Sequence, residues 1–170
     1  PEFVSPNTHI PKKKAYIMPS TCGEGCIYQE YYEELKENVY NGATLYVSNS
    51  NAFFTEFKEF FGLEVQYNEQ VSGISGTFSI DGCEIPYSYN QRRVMTSVGA
   101  TVLNTDSLGN PLLSEYTYGK GKVIFLNFPM EEKMLNEPYA FDKGREKDYQ
   151  YAFKIIIEGN NVIAKGSDAI

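Results

Sequence analysis

The sequence has no tryptophan, a single histidine (His9), three cysteines, and no apolar run near the roughly 20 residues that span a bilayer. Each shortage excludes something. Without tryptophan, a platform for stacking on sugar rings would rest on tyrosine alone. With one histidine, serine or cysteine hydrolase chemistry has one candidate imidazole base, and His9 lies in a Pro-containing segment that reads as a linker. The odd cysteine count excludes a fully paired disulfide framework within one chain. Cys22 and Cys26 have C-x3-C spacing, but a closed zinc site needs four ligands, and only His9 and Cys83 could complete it. Free or buried thiols are therefore expected, with no metal and no cofactor. Basic residues are also scarce. The formal net charge is −7 and the one basic cluster is Lys12-Lys13-Lys14, which argues against nucleic-acid and anionic-membrane partners.

What is present is enough for one globular domain of 170 residues. Pro1-Glu2-Phe3 reads as a cloning remnant, and residues 1–14 as remnant plus leader. The domain is expected over 15–158, with 159–170 as a tail or the start of a further domain. Ala15 to Met18 reads as a strand stopped by Pro19. Tyr28, Tyr31, Tyr32, Leu35 and Val39 recur at helical spacing, and Asn41-Gly42 ends that helix. Thr44 to Val47 reads as a second strand. Phenylalanines 53, 54, 57, 60 and 61 predict a helix from about Ala52 to Phe61, capped by Ser50 or Asn51 and closed by Gly62. Strand, helix, strand, helix with short connections is a parallel α/β pattern.

The middle of the chain reads differently. Asp81-Gly82, between Thr77–Ile80 and Glu84–Tyr87, signals a hairpin. Ala100–Asn104 and Leu112–Tyr116 read as another antiparallel pair. Gly119-Lys120-Gly121 is a turn rather than a phosphate loop, since it lacks the Walker pattern and precedes a strand. The nearly continuous apolar run in Lys122 to Phe128 reads as a central parallel strand. A last helix is expected from about Lys147 to Glu158.

Candidate chemistry is sparse. Val47 to Ala52 is a strand–loop–helix junction, the place where α/β hydrolases carry a nucleophile. Ser48 and Ser50 sit there, beside Asn49 and Asn51, without the glycines of G-x-S-x-G. Glu131 lies just beyond the carboxyl end of the central strand, where α/β sheets bind ligands. Glu24, Glu132, Asp142 and the Glu33-Glu34 pair are the other carboxylates that a glycosidase pair would need. Tyr87, Tyr89, Tyr116 and Tyr118 are the candidate sugar-stacking rings. Glu131 is weighed against a surface or capping role, and the tyrosines against core packing.

Three stretches resemble a known family. Val39 to Ser48 resembles the "yV-x-x-G-G-x-L-x-x-S" stretch of class I glutamine amidotransferase-like domains, in the form found in glycoside hydrolases such as family 42 β-galactosidases. Phe57 to Leu63 is similar to their helix end followed by "FG", and Asn110-Pro111-Leu112-Leu113 followed by residues 118–131 to their "G-x-G-x-V-x-x-x-x-x-P-x-E" finish. The resemblance implies a flavodoxin-like three-layer α/β core with a mostly parallel sheet and an antiparallel hairpin insertion. It implies a domain that has lost the amidotransferase triad and serves a larger glycoside hydrolase. Such a domain associates with a catalytic (β/α)8 barrel, or with a second copy, and helps shape the substrate cleft. The family usually starts with further βα units, so an N-terminally truncated sheet with an exposed edge is expected. Two other readings are a carbohydrate-binding module using its tyrosines and a small serine amidase or esterase using Ser48 or Ser50. Cytoplasmic and secreted locations both fit.

Overall fold

The computed structural model describes residues 2–5, 8–23, 26–80 and 83–139. The helix expected at 147–158, the tail 159–170, the Asp81-Gly82 turn, Glu24 and Asp142 lie outside the described residues. In chain order the elements are β1 (Ala15–Cys22), α1 (Gln29–Tyr40), β2 (Thr44–Ser50), α2 (Phe57–Phe61), β3 (Leu63–Ile80) and β4 (Cys83–Ser97). They continue with β5 (Thr101–Thr105), β6 (Pro111–Tyr118), β7 (Gly121–Leu126) and α3 (Met130–Asn136). No described helix is long and apolar enough to cross a membrane.

The main sheet has the order β1-β2-β7-β6-β5. β1, β2 and β7 run parallel, and β6 and β5 extend the sheet antiparallel beyond β7. The expected α/β class with an antiparallel addition is therefore present. Burial explains the order. β2 and β7 are buried along nearly their whole length, as strands covered on both faces must be. Alternation along them divides two cores. Leu45, Val47, Val123 and Phe125 point to the face covered by α1 and α2. Tyr46, Ile124 and Leu126 point to the opposite face, covered by α3 and the inner residues of the β3–β4 hairpin.

Several expectations need correction. β1 does not stop at Pro19 but runs on to Cys22, with its pairing to β2 shifted between Met18 and Thr21. Proline is tolerated because β1 is an outer strand, where a missing N–H breaks no interior ladder. Residues 52–55 are not helical, and α2 is only Phe57–Phe61. Neither Ser50 nor Asn51 caps it: its N-cap is Glu56 in a left-handed conformation, without a side-chain cap. Asn51 is itself left-handed (φ 63°), so the chain turns there before the helix can start. Of the five phenylalanines only Phe60 and Phe61 are fully buried, and Phe53 is exposed. Gly62 does close α2 with φ 64°, and a Cβ there would lie 2.4 Å from the Tyr116 ring. On α1 the buried stripe is Tyr32, Leu35, Lys36 and Val39, while Tyr28 is exposed.

The hairpin is much longer than its sequence signal. β3 and β4 pair from Leu63↔Ser97 to Ile80↔Cys83. Leu63 and Met95 belong to the core under the helices, whereas Phe78, Ile85 and Tyr87 belong to the opposite core. The ribbon therefore crosses from one face to the other over an end of the sheet. It crosses at the carboxyl end of β7, where Asn127 Nδ2 (2.9 Å) and Asn110 Nδ2 (3.0 Å) both donate to the Arg93 carbonyl. Gly119 and Lys120 form the tight turn between β6 and β7, as expected. A Cβ at Gly121 would lie 2.0 Å from the Val39 carbonyl oxygen, so only glycine lets this turn lie against the end of α1.

Candidate functional site

Two features meet at the carboxyl edge of the parallel strands: a closed serine–carboxylate cluster and an open cleft beside it.

The cluster is built around Glu131, in the first turn of α3. Its Oε2 accepts from the Ser20 N–H (3.1 Å), from the Ser20 hydroxyl (2.9 Å) and, in a short contact, from the Ser48 hydroxyl. Its Oε1 accepts from the Tyr46 hydroxyl (3.3 Å). Period-2 alternation on β2 puts Tyr46 and Ser48 on the α3 side of the sheet. Ser20 is left-handed (φ 41°), which turns its N–H toward Ser48 and Glu131 instead of into the ladder. Its hydroxyl also accepts from the Glu132 N–H (2.9 Å), and the Ser50 hydroxyl donates to Glu132 (2.9 Å). Burial, reinforced by the nearby Glu131, pushes the Tyr46 phenol well above its ordinary range and keeps it a donor. The four contacts on Glu131 and the two on Glu132 tie the first turn of α3 to β1 and β2.

Ser48 is fully buried. Asn49 is also buried, and its Oδ1 accepts from the Ala52 N–H (2.9 Å), fixing the turn after β2. His9 is elsewhere. Its Nδ1 lies 2.6 Å from Glu34 on α1, whose other oxygen accepts from the Ile10 N–H (2.8 Å). That hydrogen bond and the charge of Glu34 raise the His9 pKa above its ordinary 6.5. The folded chain thus favours the protonated ring. The pair stabilises below the unfolded pKa and its contribution fades as pH rises through the raised folded value. Because His9 is the lone histidine, its ring protons in an NMR titration should report a midpoint above 6.5, returning to about 6.5 in Glu34→Gln.

The expected stacking tyrosines are mostly inside. Tyr87 and Tyr89 stack on each other at 5.7 Å and pack against Phe128, with Tyr87 only 3% exposed. Tyr116 is half-buried against Gly62. These rings fill core space because the inner face of β4 and the sheet beneath it need volume there. The Tyr89 hydroxyl donates to Asp106 (2.8 Å), whose other oxygen accepts from the N–H groups of Leu108 and Asn110 and so shapes the β5–β6 turn. Among the described residues no group of three His, Cys, Asp or Glu side chains gathers as a metal site. Cys22 is exposed, and burial raises the Cys26 thiol pKa.

The cleft has a volume of about 500 Å³. Residues 49–51 at the end of β2, 127–129 after β7, the outer turns of α3, and Ser88, Asn90 and Arg93 of β4 line it. The chain leaving β2 goes to the α2 face, and the chain leaving β7 goes to the α3 face. Two adjacent parallel strands whose connections diverge create a crevice, the place where open α/β sheets hold ligands. Asn49, Ser50 and Asn51 were singled out in the sequence and line this cleft, whereas Ser48 and Glu131 form the closed cluster next to it. Arg93, Ser20 and Tyr46 were not singled out. Arg93 had one sequence signal: it falls in phase with Ile85, Tyr87, Tyr89 and Met95, the inward positions of β4.

No family model matches the chain, and no curated protein matches it. Among solved structures it is similar to an exo-β-1,4-mannosidase from Opitutaceae bacterium strain TAV5 (TM-score 0.69, 19% identity, covering 86% of this chain and 27% of that one). It is also similar to a catalytic mutant of a GH42 β-galactosidase from G. stearothermophilus (TM-score 0.53, 19% identity, 84% and 21% covered). A third is a cytoplasmic protein from Salmonella typhimurium LT2 (TM-score 0.60, 14% identity, 92% and 78% covered). At these identities the likeness is one of fold. The chain spans about a quarter of the mannosidase and a fifth of the galactosidase.

Proposed function

We propose that this chain is a non-catalytic accessory domain of a larger glycoside hydrolase, of class I glutamine amidotransferase-like descent and with a flavodoxin-like core. It associates with a catalytic (β/α)8 barrel, or with a second copy of itself, and helps shape the barrel's substrate cleft. The observation that carries the non-catalytic part is the state of Ser48. The hydroxyl at the end of β2 is fully buried and bound to a carboxylate that also ties down Ser20, while the single histidine is engaged with Glu34 on α1. A nucleophile needs exposure and a base, and Ser48 has neither arrangement. Two observations support the glycoside hydrolase part: the fold is shared with glycoside hydrolases, and the match covers only a minor share of their chains. β1, an outer strand of the described sheet, supplies an edge for association.

The test joins two measurements. The purified chain is incubated with nitrophenyl β-galactoside and β-mannoside, and separately with a serine-reactive fluorophosphonate followed by intact mass. Neither turnover nor an adduct is expected, and either one overturns the non-catalytic reading. The flanking coding sequence decides the rest: a (β/α)8 barrel with two catalytic carboxylates is the expected neighbour, and its absence overturns the parent assignment.

A further inference from the structure

The cleft between the ends of β2 and β7 contains one charge that the fold leaves unanswered. Arg93 is 2% exposed. Its Nη1 donates to the Ala52 carbonyl (2.5 Å), its Nε to Asn68 Oδ1 (3.2 Å), and its guanidinium lies 5.0 Å from the Phe53 ring centre. Its Nη2 is buried and has no hydrogen-bond partner. Among the described residues no carboxylate pairs with it. Burial without a counter-charge lowers the Arg93 pKa, the sign of a cation held at a cost. The other described cation on the cleft, Lys133, is already engaged: its Nζ donates to the Pro86 carbonyl (2.7 Å) and lies 3.3 Å from Glu137. Arg93 is therefore the group with attraction to spare, and guanidinium is matched in shape to carboxylate.

The rest of the lining restricts the anion. Asn90 of β4 and Asn136 of α3 are exposed amides on the lining, and Ser88 adds a hydroxyl. Such groups suit a ligand rich in hydroxyls. Glu132 and Glu137 accept hydrogen bonds from hydroxyls but repel a multiply charged group such as phosphate. The volume falls within the range of small-molecule sites. We propose that this cleft binds a small hydroxylated monocarboxylate, a sugar acid, with its carboxylate on Arg93 and its hydroxyls against Asn90, Asn136 and Glu132. The inference goes beyond the accessory role and does not rest on it: ligand binding and absence of turnover are measured separately.

Isothermal titration of the purified chain at neutral pH against glucuronate, galacturonate, gluconate, glucose and inorganic phosphate tests it. Saturable one-to-one binding of at least one sugar acid is expected, with glucose and phosphate at least tenfold weaker. Asn90→Asp places a negative charge on an exposed wall and should weaken sugar-acid binding at least tenfold with an unchanged melting temperature. Arg93→Gln should abolish it wherever circular dichroism shows a folded chain. Arg93 is buried and its loss can unfold the chain, so Asn90→Asp, at an exposed position, is the variant whose binding decides. The proposal is overturned by equal affinity for glucose or phosphate, by no binding of any sugar acid, or by an Asn90→Asp variant that binds like the parent.

Discussion

Glu131→Ala is expected to lower stability by about 3 kcal/mol, because it removes the acceptor of several partly or fully buried donors at once. A buried hydroxyl that loses its acceptor costs about 1–3 kcal/mol, and the Ser48 hydroxyl is fully enclosed. The loss should also loosen α3, since Glu131 binds its first turn to β1 and β2. For a domain of this size the change corresponds to a fall of roughly 6–12 °C in melting temperature. Glu131→Gln keeps the length and one oxygen, so it should cost less than the alanine variant. A double-mutant cycle with Ser48→Ala should give a coupling of about 1–3 kcal/mol, as expected for groups in one hydrogen-bonded network. A loss below about 1 kcal/mol in Glu131→Ala, measured by urea unfolding, would show that α3 is held by something other than this cluster.

Phe61→Ala is expected to be the more severe change, at about 3–5 kcal/mol. Phe61 is 1% exposed, and its ring centre lies 4.6–5.3 Å from those of Phe54, Phe57, Phe60 and Phe125. It joins the short helix α2 to β7, so truncation opens a cavity at the junction of helix and sheet. A five-residue helix cannot hold itself by backbone bonding and depends on this packing. The urea midpoint should fall by about 1–5 M if the unfolding slope is about 1–3 kcal/mol per molar. Phe53→Ala is the control. Phe53 is 56% exposed, and its loss should shift the midpoint far less. Equal shifts for the two variants would contradict the packing described.

Both predictions involve residues the sequence brought forward without their partners. Glu131 stood out because it follows the central strand at the edge where ligands bind. Nothing local identified Ser20, whose left-handed backbone aims its N–H at Glu131. Such a contact joins positions more than a hundred residues apart. The phenylalanines announced a helix by spacing, but spacing could not tell that Asn51 and Glu56 would turn the chain first and leave only Phe57–Phe61 helical. α3 was missed altogether. Its signals, Pro129 at the start and Glu131 and Glu132 in the first turn, are the usual ones for a helix beginning, but seven residues carry too little periodicity to stand out.

The sequence by itself determined the α/β class, the parallel direction of the buried strands, the turn at Gly119-Lys120 and the close of α2 at Gly62. These follow from local periodicity and from backbone conformations that few residues adopt. Only the tertiary structure decided that the β3–β4 ribbon crosses the end of the sheet. Its polar outer residues look like loop in one dimension, and its inner face exists only against two separate cores. That crossing encloses Arg93 and forms one wall of the cleft. Tertiary structure likewise decided that Ser48, placed where a nucleophile would stand, is sealed under Glu131. Burial and hydrogen bonding are relations between distant segments, and they determine whether a hydroxyl on a strand end reacts or merely holds a helix in place.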